Sequence, residues 1–421
     1  MAEVRLTLSP AMTRIFAVAR IALVSAPARA GLLAATILFS FGCSTGPATM
    51  NKPAQNPAAT LRVATYNTSL YDDHDGGLIA RLRKGEEQAR RIAAVIQHQR
   101  PDILLLNEFD YDDAHVAADL FQHDYLEVGQ FGQAPIHYEY RYLAPVNTGV
   151  PSGMDFNRDG KVAGGDDAFG FGLHPGQYGM LVLSHFPIAS EQVRTFQLLR
   201  WKDMPQARAP IDPKSGQPWY TPEQWAVFRL SSKSHWDVPI RTPQGLLHFL
   251  VHHPTPPVFD GPENRNGLRN HDEIRLWAEY ISPGEKSWLC DDQGRCGGLP
   301  ADQRFVIAGD HNADPVDGDG VPGAIQQLLE NPRVLRYATP VSEGAVVSAL
   351  AAGGANLKHR GAHAIDTGDF GPQVGNLRLD YVLPSSGFSV VASGVFWPKP
   401  GDPGADWIGA TDHHMVWVDI R

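Results

Sequence analysis

An α/β sandwich, two packed sheets with helices outside, is the fold class this sequence predicts. Two observations predict it. Several runs of strand length are almost continuously apolar, as strands covered on both faces must be. Segments with apolar residues at helical spacing are interspersed among them. The chain is large enough for such a core: 421 residues, 19% charged, with 41 Gly and 33 Pro, describe a globular protein with many irregular loops. No internal repeat of fixed period is present.

The elements follow in order. "LRVATYNTS" (61–69) alternates and is β-rich, so it makes a first strand. "EEQARRIAAVIQHQRP" (86–101) has helical spacing and stops at Pro101. "DILLLNEFD" (102–110) reads as a strand buried on both faces, and the theme returns in "YGMLVLSHFPI", "AVFRLSSKSHWDVPI", "LLHFLVHHPTPP", "FVIAGDHN", "LRLDYVLPS" and "TDHHMVWVDI". "NRNGLRNHDEIRLWAEYI" (264–281) is a second long helix, and its "HDE" (271–273) reads as solvated or N-capping because neighbours diverge around a helix axis.

Nearly every strand ends on a residue of catalytic type. Asn67, Glu108, His253, Asp310 with Asn312, and Asp380 occupy strand ends, while Asp412 and His413 open the last strand. Each alone has an ordinary structural explanation. Together they place metal-ligand and acid–base types at the mouths of separate strands. Asp310 and Asn312 lie two apart, so strand geometry sends both to one side. His252 and His253 leave a one-residue ambiguity, and alternation sends only one of them to the site; His253 is favoured.

The first 42 residues stand apart. Arg5, Arg14, Arg20 and Arg29 precede the apolar "GLLAATILFSFG" (31–42), too short to span a bilayer comfortably, and Cys43 follows. This reads as an export signal and resembles a bacterial lipoprotein signal, although Ser40 and Phe41 depart from its usual residues. The resemblance implies a lipid anchor at Cys43 and a periplasmic or cell-surface location; plain cleavage and secretion, or a retained anchor, are the alternatives. Residues 43–60 read as a flexible tether and 61–421 as the folded domain. Removing four arginines and one glutamate with the leader takes the net charge from −10 to about −13. Such an acidic chain is no obvious non-specific nucleic-acid binder, and it lacks a basic–aromatic stripe. Cys290 and Cys296 bracket a polar loop and read as a disulfide, since no second Cys or His pair has zinc spacing.

In order along the chain, "ATYNTS", "LLLNEFD", "YGMLVLSHFPI", "LVHHPTPP", "AGDHNADP", "LRLDYVLP" and "ATDHHMVWV" resemble the endonuclease/exonuclease/phosphatase superfamily of metal-dependent phosphoesterases, over about residues 61–421. The resemblance implies a DNase I-like, four-layered sandwich of two mainly antiparallel sheets. It also implies Mg²⁺ or Mn²⁺ held by Glu108 and Asp412, with Asn67 as ligand or orienting neighbour. His413 would handle protons with Asp380 as its partner, Asp310 would position the attacking water, and Asn312 and His253 would contact the phosphate. The implied partner is a phosphate-ester substrate: nucleic acid, small phosphoester or phospholipid. "SHWDVPI", "HPTPPVFDGPENRNG" and Trp397 are candidate specificity contacts.

"DFNRDGKVAGGD" (155–166) adds a second metal signal. Asp155, Asn157, Asp159, Lys161 through its carbonyl, and Asp166 match the spacing of an EF-hand calcium loop, with Gly160 at the turn, although Asp166 replaces the usual Glu. A structural Ca²⁺ is therefore expected, inside an insertion at about 133–176. The alternative to an enzyme is a non-catalytic, calcium-stabilised cell-surface binding module on a phosphoesterase scaffold; such a module should have lost some of Glu108, Asp310, Asn312 or His413, and all four are present.

Overall fold

The computed structural model describes residues 60–421. The leader, the tether and Cys43 lie outside the described residues. In chain order the strands are β1 (Leu61–Leu70), β2 (Ile103–Phe109), β3 (Tyr140–Tyr142), β4 (Met180–Ser184), β5 (Arg194–Thr195), β6 (His235–Thr242), β7 (Gly245–His252), β8 (Arg304–Asp310), β9 (Gly368–Asp369), β10 (Asn376–Leu377), β11 (Asp380–Pro384), β12 (Val390–Val395) and β13 (Val416–Ile420).

Two large sheets result. One runs β12-β13-β1-β2-β4-β3 and the other β11-β8-β7-β6-β5. Each has a single parallel pair, β1 with β2 and β7 with β8, and is otherwise antiparallel. Alternation explains the packing. Val63, Ile103, Leu105 and Val182 of the first sheet meet Trp236, Phe249, Val306 and Ala308 of the second. The opposite faces carry Ala64, Tyr66, Leu104 and Leu106 against Ile92 and Ile96 of the helix Glu87–Gln99. On the far side Leu250, Phe305 and Ile307 meet Ile274, Trp277 and Ile281 of the helix Arg265–Ile281. Helix, sheet, sheet, helix: both faces of each central strand are covered, which is why those strands read as unbroken apolar runs.

Within the stretch expected as an insertion, about 133–176, β3 pairs with β4 at the edge of the first sheet, and a long irregular segment follows Tyr142. It is closed on itself by bridges between Thr148 and Gly170 and between Pro151 and Ala168. Cys290 and Cys296 form a disulfide across a separate tight loop. Among the described residues no helix is long and apolar enough to cross a membrane.

The helix Arg265–Ile281 corrects the solvated reading of "HDE". Asp272 and Glu273 are fully buried and His271 nearly so. Asp272 Oδ2 accepts from the Trp201 indole N–H and from the Arg208 N–H, both at 2.7 Å. Glu273 accepts from the Ser232 N–H at 2.6 Å and the Thr255 N–H at 2.7 Å, joining two loops. Divergence around the axis does not matter here, because the sheet covers one side of the helix and loops cover the others. Asp272→Ala is expected to cost about 3 kcal/mol or more, since two buried donors lose a charged acceptor. Asp272→Asn, which keeps an acceptor oxygen, should cost much less, and urea denaturation of the two variants measures the difference.

Candidate active site

Topology brings the polar strand ends to one rim. β1 with β2, and β7 with β8, are parallel, so Asn67, Glu108, His252 and Asp310 finish at the same edge. β11 is antiparallel to β8 and starts there, with Asp380 directly opposite Asp310. β13 is antiparallel to β1, which places the residues preceding it, Asp412 and His413, at the same edge. Gly309 permits the close approach of β8 to β7: its φ is +150°, and a Cβ would lie 2.2 Å from the His252 carbonyl oxygen.

Asp310 is the hub. Its Oδ2 lies 3.4 Å from His253 Nε2 and 3.6 Å from His413 Nε2, and it accepts a 3.1 Å hydrogen bond from Asn67 Nδ2. Asn67 Nδ2 also donates to Glu108 Oε1 at 3.1 Å. The Asn67 amide thus faces both carboxylates with its donor, and its Oδ1 accepts from the Ser69 N–H at 3.3 Å, an arrangement that suits the orienting one of its two expected roles. Glu108 sits at φ +55° and Asn312 at φ +49°, left-handed values that are costly for a glutamate and turn both side chains out of the strand direction.

His413 Nδ1 lies 2.8 Å from Asp380 Oδ2, and Thr367 Oγ1 donates to the same oxygen at 2.7 Å. Asp380 Oδ1 is buried with no donor. Burial makes Asp380 harder to ionise than an ordinary carboxylate, against the pull of His413. Burial also opposes a charged His413, yet Asp380 and Asp310 outweigh it and raise its proton affinity well above the ordinary value. Asp310 goes the other way: burial favours its acid form, but His413 and His253 outweigh that and hold it ionised far below the usual carboxylate range.

Two groups of three side chains have ligand atoms within 4.8 Å of one another: Glu108, His253 and Asp310, and Asp310, Asp380 and His413. Carboxylates clustered at the first group suit a hard divalent cation. Asp412 belongs to neither group. Its side chain is about half exposed and its Oδ1 lies 3.9 Å from His413 Nε2, at the edge of the same cavity. Asn312 lines the cavity, with Nδ2 donating to the Pro254 carbonyl at 3.1 Å. Between the two adjacent histidines the structure turns His253 to the carboxylates, while His252 packs into the core against His235 and His311. Burial pushes the proton affinity of these three core imidazoles down, to about 3 for His235 and about 4 for His311.

Three positioning residues escaped the sequence reading. Asn107, between the sheets, accepts from the Asp310 N–H at 3.1 Å and donates to the His252 carbonyl at 3.4 Å. Thr367 holds Asp380. Asn270 donates to the carbonyls of Thr255 and His311, both at 2.9 Å. Only "LLLNEFD" carried a signal, a polar residue inside an apolar run, that pointed to any of them.

The cavity above this cluster holds about 860 Å³. Phe156, Tyr178, Tyr220, Phe228, Phe259 and Phe370 give it aromatic walls. Of the specificity candidates, the loop after His253 lines it, with Phe259 87% exposed at the tip, whereas Trp397 is buried and stacks on His414 at 3.7 Å. Trp236 likewise belongs to the core.

The calcium loop is half formed. Asp155 accepts from the N–H groups of Asp159 and Gly160, and Asn157 and Asp159 make further turns of the same kind. Asp166, the closing residue, is exposed on the cavity wall, and Asp167 folds inward instead, bonding the Phe156 and Ala163 N–H groups at 2.8 Å each. Asp155, Asp159 and Asp166 are not among the described groups whose ligand atoms converge.

The Endonuclease/Exonuclease/phosphatase family profile matches residues 64–413. No curated protein matches the chain. Among solved structures, an endonuclease/exonuclease/phosphatase from Beutenbergia cavernae is 19% identical, covering 86% of this chain and 71% of that one, with a TM-score of 0.46. Sphingomyelinase C from Streptomyces griseocarneus is 16% identical, covering 86% and 99%, with a TM-score of 0.44. Beta toxin from Staphylococcus aureus, a mutant with bound magnesium ions, is 13% identical, covering 86% and 99%, with a TM-score of 0.41. Likenesses at this level say nothing of substrate.

Proposed function

The chain belongs to the Endonuclease/Exonuclease/phosphatase family, and from that premise we propose that it is an exported, divalent-metal-dependent phosphoesterase that hydrolyses its substrate by in-line attack of water. One observation carries the reading. A single carboxylate, Asp310, stands within 3.6 Å of two imidazoles, and shares the Asn67 amide with Glu108 on the floor of a large cavity.

Glu108 would anchor the cation, with Asp310 and His253 in reach and Asp412 at the rim. A divalent ion there supplies charge neutralisation at the phosphoryl oxygens. The remaining work falls to the chain. Asp310, held ionised, accepts a hydrogen bond from the attacking water and orients it. His413 keeps its Nδ1 toward Asp380 and so presents Nε2 to the reacting side, where it exchanges the proton. His253 and Asn312 direct donors to the phosphate as its charge redistributes. Export rests on the basic, apolar and cysteine-ending leader, which also favours a lipid anchor at Cys43.

The test is hydrolysis of plasmid DNA, RNA, bis-p-nitrophenyl phosphate, p-nitrophenyl phosphate, phytate and sphingomyelin, each with Mg²⁺, Mn²⁺, Ca²⁺ or EDTA. Turnover of at least one ester, abolished by EDTA and restored by Mg²⁺ or Mn²⁺, is expected. Equal rates in EDTA would remove the metal from the proposal, and no turnover of any ester would remove the esterase.

A further inference from the structure

The cavity wall carries one lysine, Lys233, that no carboxylate among the described residues pairs directly. β6 is antiparallel to β7, with His235 opposite His252, so Lys233, two residues before β6, stands at the same rim as the catalytic candidates. Its side chain is 6% exposed and lines the cavity with Glu108, Asp310 and Asn312. Its ammonium has no hydrogen-bond acceptor and no ion-pair partner among the described residues. The other two cations of this wall are occupied. Arg269 donates to the carbonyls of Leu230, Phe169 and Arg229, and Arg265 is paired with Glu263.

The backbone around Lys233 is built to hold it there. Glu273 takes the Ser232 N–H and the Thr255 N–H, one on each oxygen. The Lys233 carbonyl accepts from the Asn147 N–H at 2.9 Å. Asn147 in turn donates to the carbonyls of Gln197 and Ser231 and accepts from Arg229. A lysine on a flexible segment would carry its charge to water. This one opens only onto the cavity, and burial of its stem lowers its proton affinity against the pull of Glu273, Glu108 and Asp310. An ammonium with little water around it and no directly bonded partner, set on a cavity wall beside Asp310, suits an anion that enters from outside.

We propose that Lys233 binds a non-bridging oxygen of the substrate phosphate, as a charge contact supplied by the protein separately from the metal. This rests on the phosphoesterase reading of the same site. A lysine offers a compact point charge, which suits one oxygen, where an arginine would demand a bidentate pair.

Two variants test it, Lys233→Gln and Lys233→Arg. In EDTA, without turnover, inorganic phosphate should raise the Tm of the wild-type protein above a chloride control of equal ionic strength. Lys233→Gln should weaken phosphate binding by calorimetry about 10-fold or more, and Lys233→Arg should recover part of it. Without phosphate, Lys233→Gln should melt at the same temperature or higher, because it removes a buried, unpaired charge; a structural lysine would give the opposite. On the best ester, kcat/KM should fall about 10- to 100-fold in Lys233→Gln. Phosphate affinity and kcat/KM both unchanged in Lys233→Gln, or a lowered Tm with phosphate affinity unchanged, overturn the proposal. Lys233-dependent phosphate binding in a protein that hydrolyses none of the esters supports the contact while removing the esterase reading, so the two fail separately.

Discussion

His413→Asn is expected to lower kcat on the best phosphate ester about 10³-fold, in a protein that still folds. The asparagine amide reproduces the donation from Nδ1 to Asp380 Oδ2, a 2.8 Å contact. It offers nothing at Nε2, the atom that faces Asp310 at 3.6 Å. His413→Ala should show a similar loss of kcat and, in addition, a lower Tm, because Asp380 is then buried without its imidazole. The pair of variants separates proton handling from support. Wild-type kcat in His413→Asn would take His413 out of the chemistry.

Asp310→Asn is expected to cost about 10² to 10⁴ in kcat and to change how stability depends on pH in the metal-free protein. His413 has a raised folded-state proton affinity, so its contribution is complete below its ordinary value of 6.5 and is lost as pH rises through the folded value. Asp310 has a depressed one, so its contribution is present above the ordinary 3.8 and is lost as pH falls. In EDTA the share of stability due to this pair, read as the difference between wild type and variant, should therefore be complete only between about pH 4 and 6.5 and decline on either side, each group contributing a slope of at most about 1.4 kcal/mol per pH unit. Asp310→Asn removes one of the two carboxylates that raise His413, so its alkaline decline should end at lower pH and be smaller overall. Its acid decline should lose the share due to Asp310. Urea denaturation from pH 3 to 9 in EDTA measures both limbs, and identical alkaline limbs would mean that Asp310 and His413 do not share a proton field.

Much of this site was legible because strand geometry is simple. A residue at the end of an apolar run must emerge at a sheet edge, and the period of two allows only one of His252 and His253 to face the carboxylates. Asp310 was readable for the same reason. The supporting groups were not. Asn107 lies inside "LLLNEFD", yet its role depends on the second sheet lying over it, and nothing local states that. Thr367 and Asn270 are ordinary loop and helix residues until Asp380 and the Thr255 and His311 carbonyls are placed beside them. "HDE" was misread because a helix seen alone has a solvent face, whereas this helix is covered almost all round.

By itself the sequence determined the chemical types at the strand ends, the strand periodicity that aims them, and the family they match. Tertiary structure alone decided that Asn67 turns its donor to both carboxylates, that Asp167 rather than Asp166 folds into the loop, and that Lys233 stands on the cavity wall without a directly bonded counter-ion. The reason is one of range. Periodicity is set by bonds between neighbours, whereas burial, partner and proton affinity depend on which distant segments close over a side chain.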